Sequence, residues 1–140
     1  MDEEDIRPGG IVYLKFMRFP DDNTIDYKFN GRPYLIYKAD EEYVYLLKIG
    51  SDTRHKEKEF YFKTSRKTLS NKKDRDCYID LRNLIKISKE ELIRKVNLLK
   101  SENRMFRGKI KYIPDKEFNR LQEQIDKICM IDEFRKIFSV

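Results

Sequence analysis

Two corners that contain both glycine and proline each lead into an apolar segment, and this feature most constrains the fold. The first corner is Arg7-Pro8-Gly9-Gly10, before residues 11–16, and the second is Asn30-Gly31-Arg32-Pro33, before residues 34–37. Glycine and proline favour turns, whereas Val, Ile, Leu and Tyr favour strands. The pattern predicts the opening hairpin of a small barrel, with Arg32 on a braced turn at the start of a strand.

Further strands are predicted along the first two thirds of the chain, where Tyr, Ile, Leu and Phe cluster between polar segments. They cover residues 43–49, 60–62 and 77–87, the last with a turn or bulge near Arg82 and Asn83. Residues 40–42 fit a tight connection between two strands. Residues 17–31, 50–59 and 65–76 are predicted to be loops, and long loops on a rigid scaffold often carry function.

Helices are predicted after the strands. Ser88-Lys89-Glu90-Glu91 has the spacing of a capping box, which predicts a helix to about Leu99. Asp115 is predicted to cap a second helix, whose apolar residues recur at spacings of three and four: Phe118, Leu121, Ile125 and Ile128. Residues 130–140 either continue this helix or dock on a partner. The predicted fold is α+β, a small antiparallel barrel over roughly 6–88 followed by C-terminal helices over 88–140.

Length and composition favour one domain and an anionic partner. The chain has 140 residues, of which 40% are charged, and a net charge of +6. A polyanion is therefore the natural partner on electrostatic grounds, although a solvated basic surface would have the same composition. Cys77 and Cys129 lie far apart without metal-binding spacing, which indicates reduced core thiols. The acidic N-terminus and the absence of a long apolar run predict a soluble, cytoplasmic protein with no membrane partner.

The residues favour phosphate chemistry without a metal or a cofactor. The sequence contains no metal-binding, phosphate-loop or dinucleotide glycine motif, and its one histidine, His55, lies in a charged segment. RNA carries its own nucleophile, the 2′-hydroxyl, so a protein needs only proton-transfer groups and a cation for the phosphate oxygens. Arg32 is the candidate cation, with Ser51, Thr53 and His55 as possible proton or hydrogen-bond partners. A surface ion pair for Arg32 and a solvated His55 are the alternatives.

The order of segments resembles the PemK/MazF family of toxin endoribonucleases, over roughly residues 6–128. Residues 7–13 resemble the family's opening "G-[DE]-I-[VW]" strand, and residues 31–36 resemble its "R-P-[AV]-[LV]-[VI]" element. Residues 78–92 resemble its late strand pair entering a helix. Gly108-Lys109-Ile110 and residues 113–118 resemble its glycine, turn and terminal helix.

The resemblance implies a homodimeric SH3-like barrel that cuts single-stranded RNA without a metal or cofactor and is blocked by a cognate antitoxin. Arg32 matches the catalytic arginine, and Gly50 stands at the position of the catalytic threonine, so that Ser51 supplies a hydroxyl one residue later. Gly10 replaces the family's opening acid. The predicted catalytic residues are Arg32 and Ser51, supported by Thr53 and His55. The predicted RNA-binding residues are Lys28, Arg54, Lys56, Arg82 and Asn83, the last two standing at the family's "[DE]-Q" pair.

Three functional hypotheses follow. The first is an endoribonuclease toxin that cleaves single-stranded RNA, whose bases could stack on Phe19 or Tyr27. The second is a noncatalytic module that binds RNA or a protein on the same barrel, which the residues at positions 50 and 82 would permit. The third is an interaction protein in which the C-terminal helices dominate and the basic charge is incidental.

Overall fold

The strands of this chain form a curled eight-stranded sheet and a separate two-stranded sheet. The computed structural model describes residues 1–14, 18–19, 22–25, 32–50, 60–65, 76–81, 83–102, 110–131 and 136–139. The strands are β1 (Gly10–Leu14), β2 (Arg18–Phe19), β3 (Asp22–Ile25), β4 (Arg32–Ala39), β5 (Tyr43–Gly50), β6 (Tyr61–Ser65), β7 (Asp76–Asp80), β8 (Asn83–Ser88), β9 (Lys111–Tyr112) and β10 (Lys136–Ser139). The helices are α1 (Lys89–Glu102) and α2 (Asp115–Ile131), and a short 3-10 turn covers Glu3–Asp5.

The larger sheet is a half-barrel. Its strand order is β10-β8-β5-β4-β1-β9, with β7 paired to the far end of β5 and β6 paired to β7. The pairings are antiparallel except between β8 and β10, which run parallel. Within the described chain, β6, β9 and β10 each pair with one strand only, and so they are the edges of the sheet. The predicted α+β class is confirmed, and β1 to β8 precede the helices as predicted, whereas β9 lies between the helices and β10 follows α2.

The first glycine corner has the backbone conformation that glycine favours. Gly9 has a φ of +90°, a region that side chains with a Cβ rarely adopt. Its amide donates to the carbonyl of Ile36 at 2.8 Å, and its carbonyl accepts from the amide of Ile113 at 3.0 Å. The corner therefore ties β1 to β4 and to the segment before α2. The prediction of a turn leading into the first strand is confirmed.

Each face of the sheet has its own core and its own helix. One cluster joins Ile36, Leu46 and Ile87 of the sheet to Leu92 and Val96 of α1, all nearly inaccessible to solvent. The other cluster joins sheet residues to α2, and its members include Leu35, Leu47, Leu84, Leu121, Ile125 and Ile128. Burial of such side chains contributes about 1.5–3 kcal/mol each, so the two helices are held mainly by apolar contact.

Both predicted helices form, with small differences at their starts. The hydroxyl of Ser88 accepts from the Glu91 amide at 3.2 Å, which confirms the first half of the predicted capping box. The Glu91 carboxylate accepts from Arg94. Asp115 lies in the first turn of α2, while the carbonyl of Pro114 accepts from the amides of Glu117 and Phe118. Asp115 therefore favours the helix through its charge near the N-terminus rather than as the cap.

Two segments differ from the prediction. The stretch 17–31 was predicted to be one loop, but β2 and β3 pair within it, with only Pro20 and Asp21 between them. Pro and Asp are residue types that favour turns, which suits the pairing of two segments so close in sequence. The tail was predicted to extend the helix or dock on a partner; instead, β10 pairs with β8 of the same chain. Pairing satisfies the backbone groups of the β8 edge, which an exposed edge would leave to solvent.

Candidate functional site

The predicted catalytic segments meet at one end of the sheet. Arg32 opens β4 and lies across from Leu14 of β1. On the other side, β4 and β5 pair in the register Tyr34 with Lys48 and Leu35 with Leu47. Continuing this register by two residues places Arg32 across from Gly50, the last residue of β5. Residues directly opposite in an antiparallel pair have Cα atoms about 4.5–5.5 Å apart, so this register brings the backbones of Arg32 and Gly50 together at one end of the sheet.

Most of the other predicted site residues lie outside the described part of the chain. These are Lys28, Ser51, Thr53, Arg54, His55, Lys56 and Arg82, together with Tyr27. Asn83 opens β8 across from Lys136 of β10, and its backbone, like that of Arg32, is described without its side chain. Phe19 lies in β2 in the same way. The roles assigned to these residues stay predictions.

The backbone leaves space for a side chain at Gly50. Among the described residues, no atom lies within 4 Å of a Cβ built at this position, and the φ of Gly50 lies outside the left-handed region. At the position where the resembled family has its threonine, the described atoms therefore leave room for a Cβ.

Gly10 presents the opposite case. A Cβ at Gly10 would lie 3.1 Å from Cε1 of Tyr112 and 3.2 Å from the carbonyl oxygen of Arg7. The same atom would lie 3.2 Å from Cδ1 of Ile36. The acidic residue that the resembled family carries here would therefore be crowded by backbone as well as side chains. Close packing of β1, β4 and β9 accounts for this glycine.

Arg7 stacks on the edge strand beside that corner. Its guanidinium carbon lies 4.4 Å from the centre of the Tyr112 ring, and Tyr112 donates its hydroxyl to the carbonyl of Asp5 at 2.6 Å. The contact with Tyr112, assisted by the charge of Asp5, raises the pKa of Arg7 above its ordinary value. Arg7 is thus a fixed, permanently charged group, and its contacts hold the N-terminal segment against β9.

Polar contacts hold the start of α2 against the sheet. The buried hydroxyl of Thr64 donates to the carboxylate of Glu117 at 2.5 Å. Further along α2, the side-chain amide of Gln122 donates to the hydroxyl of Tyr37 at 2.9 Å and to Asp126 at 2.8 Å. These contacts complement the apolar stripe of the helix. They position α2, and sequence periodicity gave no signal for them.

A second basic surface, which sequence reasoning missed, lies at the other end of β4 and β5. The lysine–tyrosine ladder comprises Lys38, Tyr43, Tyr45 and Lys86. The ammonium of Lys38 lies 4.7 Å from the centre of the Tyr45 ring, and that of Lys86 lies 4.1 Å from the centre of the Tyr43 ring. The available signal was alternation, because Tyr43 and Tyr45 are two residues apart and so share one face of a strand.

A turn with a buttressed carboxylate adjoins this ladder. The carboxylate of Asp40 accepts from the amides of Tyr43 at 2.6 Å and Glu42 at 2.9 Å. These two hydrogen bonds, that from Tyr43 first, lower the pKa of Asp40, and the charges of Lys86 and Lys89 act in the same direction. The predicted tight connection over 40–42 is confirmed, and Asp40 fixes it.

The described residues contain no candidate metal cluster and no candidate membrane span. Among them, no group of three or more His, Cys, Asp or Glu side chains could hold a metal ion. No helix in the described ranges has the length and apolarity to cross a membrane. Cys77 is buried in the core, while the side chain of Cys129 lies outside the described set.

No protein-family model matches the chain, and no curated protein matches it.

Proposed function

We propose that this chain is a metal-independent endoribonuclease that cleaves single-stranded RNA, in the manner of the PemK/MazF toxins it resembles. The observation that supports the proposal is the backbone register that brings Arg32 and Gly50 to the same end of the sheet. Gly50 directly precedes Ser51, the predicted hydroxyl donor, in the sequence. The net charge of +6 supports an anionic substrate.

In this proposal the protein supplies position and charge, and the RNA supplies the nucleophile. The 2′-hydroxyl attacks the adjacent phosphorus, and the bond to the 5′-oxygen of the next nucleotide breaks. Arg32 stabilises the charge on the nonbridging oxygens, and Ser51 donates or accepts a hydrogen bond at the reacting phosphate. Thr53 and His55 are candidates for proton transfer. Lys28, Arg54, Lys56, Arg82 and Asn83 hold the strand on either side.

The proposal extends to assembly. We infer an SH3-like barrel completed beyond the described half-barrel, a homodimer in the cytoplasm, and an antitoxin that occludes the RNA groove. The C-terminal strand and the half-barrel are compatible with this arrangement, since the β9 and β10 edges are the natural places for further backbone pairing.

The test is incubation of the purified protein with a long unstructured RNA in EDTA, with the fragment ends mapped. The proposal expects discrete cuts by the wild type and loss of at least 100-fold in rate on Arg32→Ala, the usual cost of removing one group that stabilises transition-state charge. Arg120→Ala is the matched control, because Arg120 is an exposed arginine on α2. Equal cleavage by wild type and Arg32→Ala would exclude Arg32 from the chemistry.

One observation favours the noncatalytic alternative. Gly50 carries no hydroxyl where the resembled enzymes have one, although the backbone has space for it. A module that binds RNA without cutting it would need no hydroxyl there. Intact RNA in the cleavage assay, together with binding that Ser51→Ala does not alter, would support this second function.

A further inference from the structure

The lysine–tyrosine ladder occupies the part of a sheet face that α2 leaves uncovered. Tyr45 lies across from Lys38 of β4 on one side and from Lys86 of β8 on the other. Directly opposed residues in antiparallel strands point to the same face, so these three side chains form one row across three strands. The ring of Tyr45 also packs against the core cluster that joins the sheet to α2. The row of side chains therefore begins at the border of the surface that α2 covers.

Tyrosine rings, rather than carboxylates, make the close contacts of the ladder lysines. In the described part of the chain, Lys95 pairs with Glu91 and Lys89 pairs with Glu3, whereas Lys38 and Lys86 lie over tyrosine rings. The Asp40 carboxylate acts on Lys86 through its charge only. A ring restrains an ammonium through its quadrupole but leaves the full positive charge. Lys38 is exposed and Lys86 is half-buried, so both ammonium groups are restrained beside solvent.

The spacing suits a polymer of phosphates rather than one small anion. Lys38 and Lys86 are two strands apart, about 10 Å between their backbones. Neighbouring carboxylates are Asp40, Glu41 and Glu42 in the turn, and that of Asp40 is bound to two backbone amides. The half-buried rings of Tyr43 and Tyr45 lie between the cations and offer edges and faces to bases, as on other sheet surfaces that bind single strands.

We propose that the lysine–tyrosine ladder is a second binding surface for single-stranded RNA, separate from the Arg32 end of the sheet. Lys38 follows Arg32 by six positions along β4, about 20 Å along an extended strand. The ladder therefore holds a part of the RNA strand that is distant from the reacting phosphate. The choice of RNA rests on the proposed function, whereas the affinity of the surface for a phosphate chain rests on the ladder alone.

The test is binding of a fluorescent 2′-O-methyl oligonucleotide, which has no free 2′-hydroxyl and cannot be cleaved by the proposed route. The variant Lys38→Gln with Lys86→Gln should weaken binding about 25-fold at 0.1 M salt, and the slope of log affinity against log salt should fall by about 1.4, for two lost contacts with a single strand. The matched control is Lys116→Gln with Lys127→Gln, two exposed lysines on α2, and it should bind like the wild type.

The outcomes separate this inference from the catalytic proposal. The Arg32→Ala variant should keep the part of the oligonucleotide affinity that the ladder provides, whether or not the wild type cuts RNA. Unchanged affinity and salt slope in the ladder variant, with circular dichroism showing an intact fold, would overturn the inference. If the ladder variant lost binding to vesicles with anionic lipids but kept its oligonucleotide binding, the inference would also be overturned. The surface would then be assigned to a membrane.

Discussion

Replacing Gly50 by threonine should both stabilise the fold and restore a hydroxyl at the proposed site. A Cβ at this position meets nothing within 4 Å, and the backbone conformation is open to residues other than glycine. Glycine within a strand costs about 0.5–1 kcal/mol relative to alanine, and threonine has a higher strand propensity. We therefore expect the free energy of unfolding to rise by roughly 0.5–1 kcal/mol, which corresponds to about 2–4 °C in Tm.

The same variant tests the chemistry. If a hydroxyl at position 50 contributes to stabilising the reacting phosphate, Gly50→Thr should raise the cleavage rate in EDTA about 10- to 100-fold. Gly50→Val is the matched control, because valine has nearly the shape of threonine and lacks the hydroxyl. Both variants should gain stability, measured by thermal denaturation, and only the threonine variant should gain rate. Destabilisation by both would refute the geometry, and equal rates for both would refute the role of the hydroxyl.

Two further predictions concern contacts that fix the scaffold. Thr64→Val should lower the free energy of unfolding, measured by urea titration, by about 1–3 kcal/mol, because the Glu117 carboxylate loses its buried donor. Thr64→Ser keeps a hydroxyl and should retain most of the stability of the wild type. Equal losses in the two variants would contradict the hydrogen-bond argument. Asp40→Ala should destabilise the protein at neutral pH, and since the folded-state pKa of Asp40 is lowered, its contribution is lost as pH falls through that value. The stability gap to wild type should therefore narrow in acid, and a gap that widened would contradict the assigned direction.

That Arg32 and Gly50 lie at the same end of the sheet could be predicted from sequence, because it depends on local information. The acidic residues 40–42 indicated a tight connection between two apolar segments, which brings the start of the first segment near the end of the second. Which residue lies directly across from Arg32 depends in addition on the bulge between Ile36 and Lys38, which shifts the pairing by one residue. The helices could be predicted for a similar reason, since the spacing of Leu121, Ile125 and Ile128 is a property of one segment. Local periodicity was therefore enough for the main elements and for this end of the sheet.

The lysine–tyrosine ladder could not be predicted, because a bulge creates it. The β4–β5 register shifts between Ile36 and Lys38, so that Tyr45 lies across from Lys38 rather than Tyr37. A bulge adds one residue to one strand and changes which side chains share a face beyond it. The pairing of Tyr45 with Lys86 requires in addition that β8 return to the other side of β5. Neither event leaves a mark in the periodicity of a single segment.

The glycines show how far the resemblance and the fold constrain each other. Gly10 departs from the resembled family where its neighbours would crowd a Cβ, at 3.1–3.2 Å, so close packing favours glycine there. Gly50 departs where the backbone is open, so packing does not account for it. Any difference in activity from the resembled enzymes should therefore be sought at the Gly50-Ser51 step. A hydroxyl moved by one residue along a strand points to the opposite face of the sheet, unless the backbone turns after position 50. The backbone at the Gly50-Ser51 step therefore decides whether the protein is an enzyme or a binding module.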